Sequence, residues 1–189
     1  DVFALKEIGF QDGVLIKERH NESGARVFGG NLEGKVAWRD KVQVQAGLTA
    51  QNSRYKEART WSDEGGVEAT RKMFRTPDFH GYMTASYTPT KQLTLALTGT
   101  YTGSMLVEHH TGYIEANRTE RTRGFMDMNL KVAYDFDMYS HIKLQLNAGV
   151  QNFLNAYQND FDQGADRDSG YIYGPATPRC FYLGVKLSY

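Results

Sequence analysis

The sequence predicts an all-β fold, an antiparallel β-barrel whose strands cross a membrane. Three observations lead to this prediction. Seven segments alternate apolar and polar residues, short turns and long loops alternate between those segments, and aromatic residues collect at both ends of the predicted strands. A period of two is typical of strands with one face in an apolar medium and the other in a polar medium.

The clearest alternation lies at the end of the chain, in residues 179–189. Its apolar face ends on an aromatic residue, as bacterial outer-membrane barrels commonly do. Such an aromatic-ended strand resembles the signal that the barrel-assembly machinery reads. We therefore expect that face to be an assembly signal. Its residues are Phe181, Leu183, Val185, Leu187 and Tyr189.

Six upstream segments repeat this alternation. In residues 25–38, Leu32 and Val36 share one face, and Glu33 and Lys35 share the opposite face. The other five segments lie near residues 41–51, 78–88, 92–102, 124–136 and 141–152. Their main apolar positions are, in order, Val42, Val44 and Leu48; Phe79, Met83 and Ala85; Leu93, Leu95 and Leu97; Met128, Leu130 and Val132; and Leu144, Leu146 and Val150.

The connections between these segments fall into two classes. Tight turns are predicted at residues 39–41, 89–91 and 137–140. Long, polar, glycine-containing loops are predicted at residues 52–76, 103–123 and 155–178, with residues 1–24 as a further outer loop segment. Short turns on one rim and long loops on the other are typical of an outer-membrane barrel whose short side is periplasmic. On this interpretation, residues 25–189 form part of the transmembrane barrel.

Aromatic residues on the apolar face are sorted by height along the predicted strands. Aliphatic residues, methionine, alanine and glycine lie between the two groups. Two aromatic girdles around an aliphatic band indicate two lipid interfaces. The girdle at the short turns contains Trp38, Tyr87, Tyr134, Phe136 and Tyr189, and the girdle at the long loops contains Phe28, Phe79, Tyr101 and Phe181.

Composition excludes other classes. The 22 lysines and arginines equal the 22 aspartates and glutamates, so no net field favours nucleic acid. The chain has no run of about 18 apolar residues, which excludes a transmembrane helix. Cys180 is the single cysteine, so no internal disulfide is expected. Since Asp1 is preceded by no methionine or signal peptide, we expect a fragment or a processed piece.

Seven strands do not complete a barrel. Bacterial barrels have an even strand count, and an open sheet would leave two unpaired edges in lipid. We therefore expect the C-terminal part of a larger barrel. The alternative is a smaller self-contained barrel acting as an adhesin, porin or rim enzyme, which needs an eighth strand from residues 1–20. Val14-Leu15-Ile16-Lys17 is a short candidate run. A third hypothesis is that the protein is a soluble β-sandwich binding module.

Several segments carry motif-like residues: Gly24 to Lys35, Arg75-Thr76-Pro77, Asp168 to Pro175, and Pro178-Arg179. Residues 149–158 read Gly-Val-Gln-Asn-Phe-Leu-Asn-Ala-Tyr-Gln and are similar to a Gly-Val-x-Asn-Leu-Phe-Asn-x-x-Tyr motif. With these segments, nearly the whole chain resembles the TonB-dependent outer-membrane receptors, especially those of Bacteroidota-type bacteria. In that motif, Asn152 and Asn155 are expected to bond exposed backbone at the rim.

The resemblance implies a 22-stranded barrel whose last seven strands are present here. It implies that the plug domain and the TonB box lie outside this chain, and that the location is the outer membrane. The implied partners are lipid, TonB, the barrel-assembly machinery and a scarce nutrient such as a siderophore, haem, cobalamin, glycan or peptide. The three long loops would help form the outer ligand cavity.

Four aspartates crowd the last long loop, Asp160, Asp162, Asp166 and Asp168. Carboxylates at alternating positions suit a hard cation such as Ca²⁺. The EF-hand pattern fails, because Gly164 follows too soon and no glutamate closes the loop. A solvated turn, or pairing with Arg167 and Arg179, is favoured over a metal site.

The remaining candidates are loop residues that could face a ligand. His109 and His110 are adjacent, so in an extended segment they point opposite ways and form a poor chelate. Loop aromatics could form a ligand surface or pack their own loops: Trp61, Phe74, Tyr113, Tyr171 and Tyr173. No phosphate loop, zinc spacing or nucleophile elbow is present, so no enzymatic activity and no cofactor are expected.

Overall fold

A computed structural model describes residues 2–63, 66–138 and 142–188 of the chain. In these ranges the protein is all-β, which confirms the predicted class, and every strand pairing is antiparallel. None of the described residues form a helix with the length and apolar character needed to cross a membrane. Tyr189, the last residue of the expected assembly signal, lies outside the described residues.

Twelve strands are formed by the described residues. They are β1 Val2–Gln11, β2 Val14–Glu22, β3 Ala25–Trp38, β4 Val42–Arg59, β5 Thr70–Lys72, β6 Phe79–Tyr87, β7 Leu93–Thr102, β8 Leu106–His109, β9 Arg118–Arg121, β10 Phe125–Asp137, β11 Lys143–Gln151 and β12 Cys180–Ser188.

One sheet contains the seven long strands that lie in the alternating segments. Its order is β12-β11-β10-β7-β6-β4-β3, so sequential neighbours pair throughout, and the short β5 adds to β4. Within the described residues the sheet is open, with β3 and β12 at its edges. Short connections leave one end, the turn end. The longer connections, of which residues 60–63, 66–78, 103–124 and 152–179 are described, leave the other end, the loop end.

Strand register gathers apolar side chains into continuous rows on one face. Side chains directly opposite in neighbouring strands lie on the same face of a sheet. The first apolar row is Val36, Val44, Ala85, Leu97, Leu130, Val150 and Phe181. The second is Trp38, Val42, Tyr87, Leu95, Val132, Ala148 and Leu183. Both rows cross all seven strands without a polar interruption.

The opposite face is polar and cross-linked by side chains. The row beginning at Lys35 continues through Gln45, Thr84, Thr98 and Asn129. Gln45 Nε2 donates to Glu33 Oε1 at 2.8 Å, across strands. Such a network needs water or polar protein opposite it, since buried polar groups without partners are costly. The sheet therefore has one apolar and one polar face.

Residues 1–24, which the sequence predicts as a loop segment, contain a long hairpin instead. Strands β1 and β2 pair in a separate two-stranded sheet, and the short Val14–Lys17 run is only part of β2. A two-residue turn connects them, with φ of 52° at Asp12 and 78° at Gly13. Positive φ at both positions is the hairpin geometry that an Asp-Gly pair favours. This signal was present in the sequence and was missed.

The predicted long loops are also more ordered than expected. Strand β4 continues eight residues beyond Gln51 to Arg59 and pairs with β5 in the loop that follows. Strands β8 and β9 form a hairpin inside residues 103–123. A parallel bridge between Phe74 and Leu106 joins these two loops. The backbone N–H and C=O groups of long loops need hydrogen-bond partners, and here the loops supply such partners to one another.

Candidate functional site

Two of the three long loops, residues 103–123 and 155–178, pack against each other through a small apolar cluster at the loop end. Met105, Val107 and Tyr171 are its buried members, and Tyr173 packs beside them. Val107 is fully buried, although it lies in a loop hairpin rather than in the main sheet. This cluster brings β8 against the loop that precedes β12. The loop end therefore has a packed interior of its own.

Gln158 holds the segment that carries Tyr171 and Tyr173. Its side chain is fully buried. Its Nε2 donates to the carbonyl of Tyr171 at 3.0 Å, and its Oε1 accepts from the backbone N–H of Tyr173 at 2.9 Å. The side-chain amide of Gln158 thus provides a donor for one backbone C=O and an acceptor for one backbone N–H in an irregular segment. Buried backbone groups require such partners.

His109 makes a buried pair with Asp162 across 53 residues of sequence. Its Nε2 lies 3.0 Å from each carboxylate oxygen of Asp162. Its ring stacks on Tyr171, with centroids 3.6 Å apart and planes 5° from parallel. Asp162 Oδ2 also accepts from the N–H of Asp168 at 2.9 Å. The pair therefore locks strand β8 to the last loop.

His110 faces the opposite side of β8, in line with the orientation predicted for adjacent histidines. Its ring meets Trp61 edge-on, with centroids 4.8 Å apart. Lys17 Nζ on the β1–β2 hairpin lies 3.4 Å from His110 Nε2. The two histidines thus belong to different surroundings, one inside the loop cluster and one toward the hairpin.

Two tyrosine hydroxyls converge on Asp160. Tyr173 donates to its carboxylate at 2.6 Å and Tyr171 at 3.3 Å. Burial raises the pKa of Tyr171 to about 12, and the charge of Asp160 adds to the shift. Burial and the hydrogen bond to Asp160 also raise the pKa of Tyr173. Burial would raise the pKa of Asp160, but its hydrogen bonds, led by the one from Tyr173, hold it below the ordinary value.

The four candidate aspartates are hydrogen-bond acceptors or exposed. Asp168 accepts from the N–H groups of His110 and Gly170, at 3.0 and 2.8 Å, and Asp166 is exposed. The sequence favoured a solvated turn or pairing with Arg167 and Arg179. Among the described contacts, Arg167 donates to the carbonyl of Gly164, and Arg179 gives its backbone N–H to Asn155. Over the described ranges, no group of three or more His, Cys, Asp or Glu residues is arranged to hold a metal ion.

Of the aromatic candidates, Trp61 packs loops and Tyr113 is exposed. Trp61 is 2% exposed, and its Nε1 donates to Thr119 Oγ1 of β9 at 3.0 Å. Tyr113 is 56% exposed, near the tip of the β8–β9 hairpin. Phe74 is half-buried beside the bridge to Leu106. Tyr171 belongs to the apolar cluster described above, and Tyr173 packs against it.

Asn152 and Asn155 bond backbone at the rim, which confirms the predicted role. Asn152 Nδ2 donates to the carbonyl of Thr177 at 2.9 Å, and its Oδ1 accepts from the N–H of Ala156 at 2.9 Å. Asn155 Oδ1 accepts from Arg179 N–H. Both asparagines have positive φ, 47° and 55°, which asparagine tolerates better than most residues. They turn the chain out of β11 and back toward β12.

Two cavities adjoin between the β1–β2 hairpin and the loops, with volumes of about 390 and 440 Å³. They share Lys17, Glu108 and His110, and we call them together the cationic cleft. Sequence reasoning missed this cleft, because its residues are spread along the chain and follow no local motif. The cations on its walls are Lys17, Arg19, Arg59, Arg75 and Arg167.

The four described residues of the expected assembly signal lie on the apolar face of β12. Their exposed fractions run from 64% for Leu187 to 88% for Leu183. Cys180, also in β12, is exposed and free, and it pairs in register with Gln151. The strand is an edge within the described residues, so its apolar side chains and its free backbone edge are both available to a neighbour.

These features define the class of protein to which the chain belongs. It is an all-β protein whose antiparallel sheet has one apolar face, one polar face and packed loops at one end. No protein-family model matches the chain, and no curated protein does. Among solved structures, it is similar to the ferric-catecholate import receptor Fiu from E. coli K12 in its closed form, with a TM-score of 0.58 and 20% identity. That match covers 96% of this chain and 22% of the receptor. The likeness is one of fold.

Proposed function

We propose that this chain is the C-terminal barrel portion of a TonB-dependent outer-membrane receptor that takes up a scarce nutrient, such as a siderophore, haem or cobalamin. The two apolar rows that cross all seven strands carry this proposal. A face this wide and this apolar is expected to meet lipid, while the polar face opposite lines a wet lumen. Outer-membrane lipid is thus the first partner.

The open edges support a larger barrel. Strands β3 and β12 carry exposed apolar side chains at both sheet edges, including Leu32 at 73% and Leu183 at 88% exposure. Unpaired strand edges are not viable in lipid, so the parent chain must supply strands that join them. The barrel-assembly machinery would recognise the β12 face, and a plug domain elsewhere in the parent chain would engage TonB.

The fold similarity supports a transport role. The solved receptor is named for the import of ferric catecholates, and nearly all of this chain matches a part of it. The charged and polar loop side chains hold loops together, as His109 and Asp162 do. We therefore propose transport of a small ligand rather than catalysis or nucleic-acid binding.

Cell fractionation and uptake measurements test the proposal. We expect the full-length protein in the outer-membrane fraction, migrating faster on a denaturing gel before boiling than after it. We expect uptake of its nutrient to stop when TonB is deleted or a protonophore is added. Recovery of the protein in the soluble fraction would contradict an outer-membrane location. Uptake that continues unchanged in the presence of the protonophore would contradict TonB coupling.

The alternative is a smaller self-contained barrel acting as an adhesin, porin or rim enzyme. It requires residues 1–20 to pair with the main sheet, but β1 and β2 pair with each other in a separate sheet. The mass of the native polypeptide separates the two: a receptor requires several hundred residues more than this segment, whereas the alternative requires about its length.

A further inference from the structure

Strands β3 and β4 extend the apolar face of the sheet beyond the aromatic girdle at the loop end. Their register is unbroken from Trp38 opposite Val42 to Ala25 opposite Tyr55. Even-numbered residues of both strands therefore keep to the apolar face along this whole length, because side chains alternate between the two faces of a sheet. Beyond Phe28, which is 78% exposed, the same face changes from apolar to basic.

Three cations occupy this continuation of the face. Arg26 lies directly opposite Arg54 in the strand register, and Lys56 follows Arg54 on the same face. All three side chains are exposed, whereas the alternating residues Ser53 and Tyr55 are buried. The cations therefore point away from the packed loops, toward the outside of the sheet. We call Arg26, Arg54 and Lys56 the outer basic patch.

The positive charges of this row repel one another. Like charges directly opposite in neighbouring strands are destabilising. The row continues to Lys72, which lies opposite Arg54 and forms an ion pair with Asp78. Among the described residues, none of the ion pairs includes a member of the outer basic patch. An anion placed between Arg26 and Arg54 would therefore relieve a repulsion that the fold itself creates.

Arg54 is oriented for such an anion. Its Nε donates to Asn52 Oδ1 at 2.8 Å, and Asn52 lies two residues before it on the same face. This bond aligns the side chain with the surface of the sheet. The terminal nitrogens of a guanidinium form a planar fork that matches the oxygens of a phosphate group. A side chain that is already oriented loses less entropy on binding.

The height of the patch matches the headgroup layer of a membrane. Arg26 lies two residues beyond Phe28, which is about 7 Å along an extended strand. The headgroup layer adds roughly 5–8 Å to each side of the hydrocarbon core. With the loop-end girdle at the lipid interface, as the proposed function requires, the outer basic patch lies at the depth of lipid headgroups.

We propose that the outer basic patch binds the phosphate groups of a phosphorylated lipid in the outer leaflet. This deepens the proposed function, on which it rests, by naming the class of lipid that meets the apolar face and the place that holds its headgroup. The acyl chains of this lipid would lie against Phe28 and Leu32, which are 78% and 73% exposed. Gly30 between them adds no side chain to this surface.

The test uses the immobilised full-length protein in a neutral detergent. The probes are diphosphoryl lipid A and the same lipid with both phosphates removed, and mass spectrometry quantifies the lipid retained after washing. We expect about tenfold or more preference for the phosphorylated form. Inorganic phosphate in the wash should not displace it, because the acyl chains also contribute. Equal retention of both lipids would overturn the charge argument, and complete displacement by inorganic phosphate would overturn a lipid site.

A double variant locates the site. Arg26→Gln with Arg54→Gln should reduce retention of diphosphoryl lipid A about tenfold or more, as expected for the loss of charged hydrogen bonds. The matched control is Lys35→Gln with Lys131→Gln, which removes two positive charges from the polar face and should change retention little. Equal effects of the two double variants would refute a site in the outer basic patch.

Failure of this inference can be distinguished from failure of the proposed function. Fractionation and TonB-dependent uptake are measured on the unmodified protein in separate experiments. An outer-membrane protein that retains both lipids equally would defeat the phosphate site alone. A protein found in the soluble fraction would defeat the proposed function, and the lipid site with it.

Discussion

At the residue scale, buried polar side chains organise the loop end. The largest fully buried side chains include Gln158 and Asn117, both in loops. Asn117 Nδ2 donates to Ser62 Oγ at 3.0 Å, and its Oδ1 accepts from the N–H of Thr111 at 2.6 Å. Removing one partner of such a pair leaves a buried group unsatisfied, which costs more than the bond itself contributes. Replacing a single polar atom in such a side chain should therefore lower the stability of the loop end.

The first prediction concerns Asp162. Asp162→Asn replaces one acceptor oxygen with a donor, facing either His109 or the N–H of Asp168. We expect the last loop to lose about 1–3 kcal/mol of local stability, because the site is buried. Hydrogen exchange of residues 155–178 measures it. Asp166→Asn, an exposed change in the same loop, is the control, and equal exchange in both variants would contradict the argument.

The second prediction concerns alkaline pH and the tyrosine pair. The folded-state pKa of Tyr171 lies at about 12, above its ordinary 10.0. Its contribution to stability is therefore fully present below about pH 10 and is lost as the pH rises through about 12. Tyr173 shifts in the same direction. We expect protease cleavage of the last loop to accelerate over this window.

The Tyr171→Phe, Tyr173→Phe double variant provides the check on that assignment. Phenylalanine cannot ionise, so the alkaline acceleration of cleavage should flatten in the double variant. Tyr113→Phe, which changes an exposed loop tyrosine, should leave the acceleration as it is. A double variant that retains the full alkaline effect would assign the effect to other groups.

At the scale of elements, tyrosines on the polar face cover glycines of the next strand. Gly47 of β4 lies opposite Tyr82 of β6, and Gly149 of β11 lies opposite Tyr182 of β12. A Cβ atom would come within 2.5 Å of the Tyr82 ring and 2.4 Å of the Tyr182 ring. The missing side chain lets the ring lie flat on the neighbouring strand. This arrangement fixes register between the paired strands.

The third prediction tests that pairing. Gly149→Ala should destabilise the folded protein by about 1–3 kcal/mol, because Tyr182 must move. Tyr182→Ala in the same chain should remove part of that cost, which gives a measurable coupling in a double-mutant cycle of urea unfolding in detergent. Gly34→Ala, where a Cβ meets open space, is the control. Strictly additive effects would contradict the packing argument.

At the scale of the whole molecule, the proposed function puts lipid on one face of the sheet and water on the other. The first apolar row includes Leu97, and the next residue, Thr98, belongs to the polar row. Between these neighbours the backbone environment is nearly the same, and only the direction of the side chain differs. A charge placed at each position therefore reports which medium lies on each face.

The fourth prediction uses that pair. In membranes, Leu97→Arg should destabilise the protein by about 2–4 kcal/mol and reduce the yield of heat-modifiable protein, because arginine on a lipid face is costly. Thr98→Arg should be tolerated, since its side chain points toward the polar face. If both variants fold equally well, the apolar face does not meet lipid.

The amino-acid sequence by itself determined the all-β class and the sidedness of the strands. Alternation is a local property, because successive side chains of any strand point to opposite faces. The contact of Asn152 with the N–H of Ala156 is local as well, four residues along the chain, whereas Asn155 reaches the N–H of Arg179 across 24 residues. The Asp12-Gly13 turn was equally local, and it could have revealed the first hairpin.

Only the tertiary structure decided how the loops meet. His109 and Asp162 are 53 residues apart, and Lys17 and Arg167 of the cationic cleft are farther apart still. No periodic pattern connects such residues, because loop residues are brought together by the sheet that anchors their ends. The aspartates show the difference most clearly. Their spacing favoured a solvated turn or arginine partners over a cation site, whereas the fold gives them a histidine, two tyrosines and backbone amides.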